Sequence, residues 1–317
     1  MALLLFFGGR GYCYSYSQRD TTIKIDVLDS NQVNSVFSPV LLRDILPDGF
    51  ENTSKNTLSG SLSSLEPLFE RMIMLRLAQE RRAEMEQQGA DAEELGNLPA
   101  DTIRVLHIGD SHVRGHYYPR AAGSVLMYHF GAIAYYDFGI DGATCISYNT
   151  DENIARIASY SPDLIVISFG TNDCYHSYTA SIHYASMEKL LANIRSVLAE
   201  VPIILTTPPG CYYAKRGTKS VYSKKRKKNI YTRYTYYENN PRNGVAAATI
   251  NRFGREHNIP VWDLFTICGG VNYASKNWWE NGMMRPDRVH FTVEGYHLQG
   301  QLFATSIIQA FNDYVGK

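Results

Sequence analysis

From residue 101 onward, short apolar runs alternate with longer amphipathic ones. The apolar runs are 103–108 "IRVLHI", 132–138 "AIAYYDF", 164–169 "LIVISF", 202–206 "PIILT" and 259–263 "IPVWD". Helical spacing of apolar positions fits about 118–129, 151–159, 184–200, 244–257 and 294–315 between and after them. Strands this short and this uniformly apolar are buried on both sides. The predicted fold class is therefore α/β: a doubly wound, five-stranded parallel sheet with helices on both faces. In such a sheet, sites form beyond the carboxyl ends of the strands.

The first hundred residues read differently. Residues 61–88 carry Leu65, Leu68, Phe69, Ile73, Leu75 and Leu77 at helical spacing and end in charges, so a helix is expected there. The segment 89–101 reads as a linker and 19–60 as a polar, extended stretch. The apolar run Ala2–Phe7 is too short to span a bilayer. It suits a signal peptide over 1–18 that lacks a charged start, and export to the periplasm or medium is expected; a frayed apolar terminus is the alternative. The domain organisation is thus a signal peptide (1–18), an N-terminal extension (19–100) and a catalytic unit (101–317). One stretch interrupts the α/β rhythm. Residues 211–243 form a long insertion dense in Lys, Arg and Tyr. Such a loop grips a polyanion or a glycan, or is merely solvated; Tyr and Thr also suit an edge hairpin.

Charge narrows the function classes. Lys plus Arg and Asp plus Glu number 31 each among 317 residues, which argues against nucleic acid as a partner. The 23 tyrosines serve cores as well as carbohydrate-facing surfaces. The five cysteines form no CxxC pair and no close Cys/His cluster, so neither a metal nor a cofactor is expected. Cys174 follows the third strand and Cys211 the fourth; neighbouring strands would bring the two sulfurs close enough for a disulfide in an exported protein.

Four polar blocks fall at strand ends or in loops: "GDSH" at 109–112, "GIDGAT" at 139–144, "GTND" at 170–173 and "DRVH" at 287–290. Each alone is weak, because Gly, Asp, Ser and Asn all suit turns. Together, and in this order, they resemble the SGNH (GDSL-type) hydrolase family over about 101–317, with His112 where that family usually has Leu. The resemblance implies a flavodoxin-like sheet order and a serine esterase. It makes Ser111 the nucleophile, His290 the base and Asp287 its orienter, with an oxyanion hole from Ser111, Gly142 and Asn172.

The residue chemistry agrees. A serine hydroxyl needs a base, and an imidazole accepts its proton near neutral pH. A carboxylate three residues earlier can take the ring's other N–H. Asn172 offers a side-chain amide, while Gly142 and Ser111 offer backbone N–H groups. The remaining polar residues read as local: Asp110 as a turn residue, Asp173 as a helix cap, His112 and His116 as hydrogen-bonding neighbours, Arg114 as exposed, His107 as core, His297 as structural and Glu294 at a helix start.

The substrate class implied is an acylated carbohydrate or another small ester, first of all an O-acetylated cell-wall glycan, by analogy with the family. A lipase or thioesterase would need a long apolar groove, and no loop supplies one. Acyl transfer uses the same intermediate with a different acceptor. A non-catalytic glycan- or polyanion-binding module is the other class, and filled Ser and His positions argue against it.

Overall fold

The computed structural model describes residues 45–89, 91, 102–175 and 178–316. The expected signal peptide at 1–18, most of the stretch at 19–60 and most of the linker at 89–101 lie outside these residues. In chain order the elements are β1 (Leu58–Ser59), a 3-10 turn (Ser63–Leu65), α1 (Glu66–Gln87), β2 (Ile103–Gly109), α2 (Ser111–Arg114), α3 (Tyr117–Phe130) and β3 (Ile133–Gly139). There follow α4 (Cys145–Tyr148), α5 (Asp151–Ser159), β4 (Leu164–Ser168), α6 (Ala180–Val197) and β5 (Ile203–Thr206). The chain closes with β6 (Tyr212–Ser223), β7 (Lys228–Asn239), α7 (Arg242–Glu256), β8 (Val261–Trp262), α8 (Leu264–Ile267), α9 (Gly270–Glu280) and α10 (Val293–Val315).

The main sheet runs β1-β8-β5-β4-β2-β3. Its five parallel strands have the flavodoxin-like order, so the fold is the doubly wound α/β class the apolar runs predict. A sixth strand has no counterpart among the apolar runs. β1 is two residues long and pairs antiparallel with β8, Leu58 opposite Trp262. It is too short to carry a periodic signal, and it covers a sheet edge that would otherwise expose unpaired backbone.

Apolar side chains fill both sides of the sheet. On one side Val105, Val166 and Ile204 pack under α1, α3 and α10, with Phe69, Leu126, Phe303 and Phe311 in the same cluster. On the other, Leu106, Ile108, Ile165, Ile167 and Leu205 meet Ile157 of α5, Leu190 of α6 and Phe253 of α7. α1 begins with Pro67 in its first turn, where a missing N–H costs nothing, and buries Leu68, Phe69, Met72 and Ile73. Among the described residues no helix is long and apolar enough to cross a membrane.

A row of polar side chains crosses the sheet just below its carboxyl edge. Tyr135 Oη meets His107 Nδ1 at 3.0 Å, His107 Nε2 meets Ser168 Oγ at 2.6 Å, and Ser168 Oγ meets Thr206 Oγ1 at 2.7 Å. Each buried polar atom thereby has a partner, and the row fixes four adjacent strands in register.

Residues 212–239 form a separate two-stranded ribbon, β6 against β7 through all twelve residues of each strand. It is mostly exposed and carries nine Lys or Arg against one carboxylate, Glu238. Its base is tied down: Tyr212 N–H donates to Arg288 O at 3.0 Å and Tyr213 Oη to Cys174 O at 3.2 Å.

Candidate active site

The strand order reverses between β2 and β4, the position at which a doubly wound sheet places its binding site. Asp110 follows β2 in an extended conformation and caps α2, its carboxylate accepting the His112 N–H at 2.9 Å. That cap places Ser111 at the first position of the helix. Gly139, the last residue of β3, makes room for it: a Cβ there would sit 2.2 Å from Arg114 N and 2.6 Å from Asp110 O.

Ser111 Oγ lies 3.0 Å from His290 Nε2, across 179 residues of sequence. His290 Nδ1 lies 2.9 Å from Asp287 Oδ2. Asp287 Oδ1 accepts the N–H groups of Val289 and His290, both at 2.9 Å, so one carboxylate orients both the ring and the loop that carries it. Burial opposes ionisation of Asp287, but these backbone bonds and the His290 ring outweigh it and hold the carboxyl below its ordinary range. The loop is strained at Arg288, whose φ is +55°. Its guanidinium stacks 3.9 Å from the Trp279 ring centroid and 4.5 Å from that of Tyr237, which fixes this residue between α9 and the ribbon.

Gly142 sits in the turn after β3 with φ +70°, a conformation that suits glycine. Within the described chain, neither its N–H nor that of Ser111 has an acceptor. Asn172 Nδ2 donates to Ala143 O at 3.1 Å and to Asp110 Oδ2 at 3.2 Å. The amide is therefore fixed, and it would serve an oxyanion by sharing one of those two protons.

The neighbouring residues have specific structural roles. His112 is buried, meets Tyr296 Oη at 3.0 Å and lies 5.5 Å from the His290 ring, centroid to centroid. His116 meets Asp137 Oδ1 at 2.5 Å, and exposed Arg114 pairs with Asp141 at 3.8 Å. Asp173 caps, but not its own helix: it accepts the Cys145 N–H of α4 and the Gly170 N–H, both at 3.1 Å, joining the Gly142 and Asn172 loops. Sequence spacing gives no sign of that cross-loop cap, nor of the aromatic clamp on Arg288. The disulfide between Cys174 and Cys211 is not formed; both are free, buried thiols, and Cys211 Sγ is engaged by Asn243 Nδ2 at 3.4 Å.

Asp110 gives the site an unusual titration. Burial, supplemented by the nearby Asp173 and Asp141 carboxylates and opposed by the His112 N–H, pushes its carboxyl up to about 7. Between pH 4 and 7 the folded chain then keeps a proton that the unfolded chain has lost. Its contribution to stability is complete below about pH 4 and disappears as pH rises to 7. His107 and His112, both lowered to about 3 chiefly by burial, act in the opposite sense and weaken the fold as pH falls below 6.5. In thermal unfolding, the Tm of Asp110→Asn minus that of wild type is expected to grow from pH 4 to pH 7, by on the order of a few kcal/mol in stability. Parallel curves would remove Asp110 as the titrating group.

A hydroxyl, an imidazole and a carboxylate in line can transfer a proton away from the hydroxyl as it attacks. Two free N–H groups and a fixed amide beside it can receive negative charge on a carbonyl oxygen. In shape the chain resembles a peptidoglycan O-acetylesterase, with 13% identity and a TM-score of 0.61, over 81% of this chain and 99% of the other. It also resembles a possible lipase from Chitinophaga pinensis (19% identity, 67% and 98% covered, TM-score 0.39). An acetylxylan esterase from Geobacillus stearothermophilus is similar too (16% identity, 66% and 94% covered, TM-score 0.42). No protein of curated function matches the sequence. Residues 107–298, which hold the Ser, Gly, Asn and His blocks, match the GDSL-like lipase/acylhydrolase family, and the chain belongs to that family.

Proposed function

We propose that this chain is a serine esterase that removes acetyl groups from a carbohydrate polymer through an acyl-enzyme. The observation that carries the reading is the alignment of Ser111 Oγ, His290 and Asp287 at 3.0 and 2.9 Å. Ser111 attacks the ester carbonyl while His290 takes its proton. The oxyanion is received by the N–H groups of Ser111 and Gly142 and by the amide of Asn172. The alcohol leaves with the proton from His290, and water, activated by the same imidazole, releases the acid. Each oxyanion donor is worth about 3–4 kcal/mol to the transition state.

Two features support an acetylated polymer. One structural neighbour, alike over 81% of this chain, is a peptidoglycan O-acetylesterase. The ribbon beside the His290 loop exposes Tyr222, Tyr231, Tyr234 and Tyr236 among its cations, which suits a long polar chain better than a fatty acyl group. A polymeric cell-wall substrate and the apolar run Ala2–Phe7 support export.

Two assays test this. On p-nitrophenyl esters, wild type is expected to turn over acetate and to lose activity as the acyl chain lengthens. On O-acetylated peptidoglycan or xylan, release of acetate is expected to fall several-fold when Lys224, Lys225, Arg226, Lys227 and Lys228 are replaced by Ser, with p-nitrophenyl acetate turnover unchanged. A preference for long acyl chains would make the protein a lipase or thioesterase. Equal loss on both substrates would deny the ribbon a part in polymer binding.

A further inference from the structure

Cys145, Asp173 and His183 are far apart in sequence, and the fold brings them together behind the loops that carry Gly142 and Asn172. Cys145 opens α4, Asp173 follows β4, and His183 lies in the first turn of α6. One sulfur, one carboxylate oxygen and one ring nitrogen from the three all lie within 4.8 Å of one another. Cys145 is 1% exposed and His183 2%. His183 Nδ1 meets Tyr178 Oη at 3.2 Å, which leaves Nε2 as the free ring nitrogen. That Nε2 is buried and has no hydrogen-bond partner. A buried polar atom without a partner is costly and calls for a ligand or a water. Beside the ring lies a cavity of about 20 Å³ whose mostly apolar lining joins Cys145 and His183 to Ile167, Phe169, Met187 and Leu190.

We propose that Cys145 Sγ, a carboxylate oxygen of Asp173 and His183 Nε2 bind a zinc ion. A mixed S, N, O set with one open position suits tetrahedral zinc better than magnesium or calcium, which prefer oxygen alone. The Asp173 oxygens already accept the N–H groups of Cys145 and Gly170, and each keeps a lone pair for the metal. On binding, the Cys145 thiol gives its proton to solvent and the sulfur–zinc bond replaces the S–H bond. The ion takes no part in ester cleavage, for Ser111 and His290 are not among its ligands. It staples three segments: α4, the loop after β4, and the start of α6. Those first two segments carry or adjoin the oxyanion donors, so the metal fixes their spacing.

The test uses the full chain, purified without chelator and then loaded with zinc. Elemental analysis is expected to find one zinc per chain, and zinc to raise the Tm of chelator-treated wild type. Cobalt(II) added to the chelator-treated protein is expected to give a near-ultraviolet sulfur-to-cobalt band and intense visible bands of a tetrahedral site. Cys145→Ser should abolish the sulfur band, and His183→Gln should weaken zinc binding on the order of 100-fold. Zinc at background, no cobalt bands and the same Tm with and without chelator would overturn the site. Those three readings use wild type alone, so a variant that fails to fold does not decide the matter. Turnover of p-nitrophenyl acetate, followed in parallel, keeps a failure of the esterase reading separate.

Discussion

Ser111→Ala is expected to lower kcat on p-nitrophenyl acetate by about 10⁴-fold or more, with little change in KM. Ser111 Oγ is the hydroxyl that His290 Nε2 contacts, so removing it leaves the base with nothing to activate but water. The oxyanion donors remain, and some catalysis over the uncatalysed rate persists for that reason. Ser111 is the first residue of a four-residue helix capped by the Asp110 side chain, and alanine disturbs neither the cap nor the helix. The Tm should therefore stay close to wild type, which separates lost chemistry from lost folding. Rapid-quench mass spectrometry should find an acetyl group on the Ser111 peptide of wild type. A variant that keeps activity within tenfold of wild type would remove Ser111 as the nucleophile.

Asp287→Asn comes next in size, with a fall in kcat of about 10²–10⁴-fold. The carboxylate accepts three hydrogens: the His290 ring N–H and two backbone N–H groups of its own loop. An amide of the same shape has one accepting oxygen and one donating nitrogen. It can hold the loop or the ring N–H, but not both, and an NH₂ facing Nδ1 selects the wrong tautomer. Because Asp287 is held below the ordinary carboxylate range, the wild-type carboxylate stays ionised throughout the pH range of an ester assay. The loss in the variant should consequently be similar from pH 6 to pH 9 and fall on kcat rather than KM. A loss below tenfold, or one confined to KM, would make Asp287 a loop residue rather than the orienter of His290.

The five parallel strands were legible because each is a short apolar block between amphipathic ones, and burial on both sheet faces leaves that mark on a sequence. Ser111, Asn172 and His290 were legible because their blocks fall where strands end or the last helix begins. Other features left no such mark. α9 is rich in Asn, with two glycines at its start, and its helical character comes from packing Ala274 and Trp278 rather than from propensity. The ribbon buries almost nothing, so neither of its faces shows period-two alternation. Asp173 suits a cap by residue type, yet the helix it caps, α4, begins 28 residues earlier. The Cys145, Asp173 and His183 cluster is likewise a product of topology, which no local spacing encodes.

The edge strand β1 has a consequence for the order of folding. Its neighbour Asn56 accepts from Trp262 Nε1 at 2.9 Å, across 206 residues, and donates to Leu302 O at 2.7 Å. Phe69 of α1 packs edge-on against Phe311 of α10, with ring centroids 5.6 Å apart. The earliest described segment thus completes its contacts only with the last to be synthesised. During synthesis α1 must keep part of its apolar stripe, Phe69 included, uncovered until the final helix arrives. Contacts this distant form late, and the exposed stripe is a natural target for chaperones and for self-association in the interval. Chains cut short before Val293 would meet the same hazard permanently, with Phe69 lacking Phe311 and Asn56 lacking Leu302.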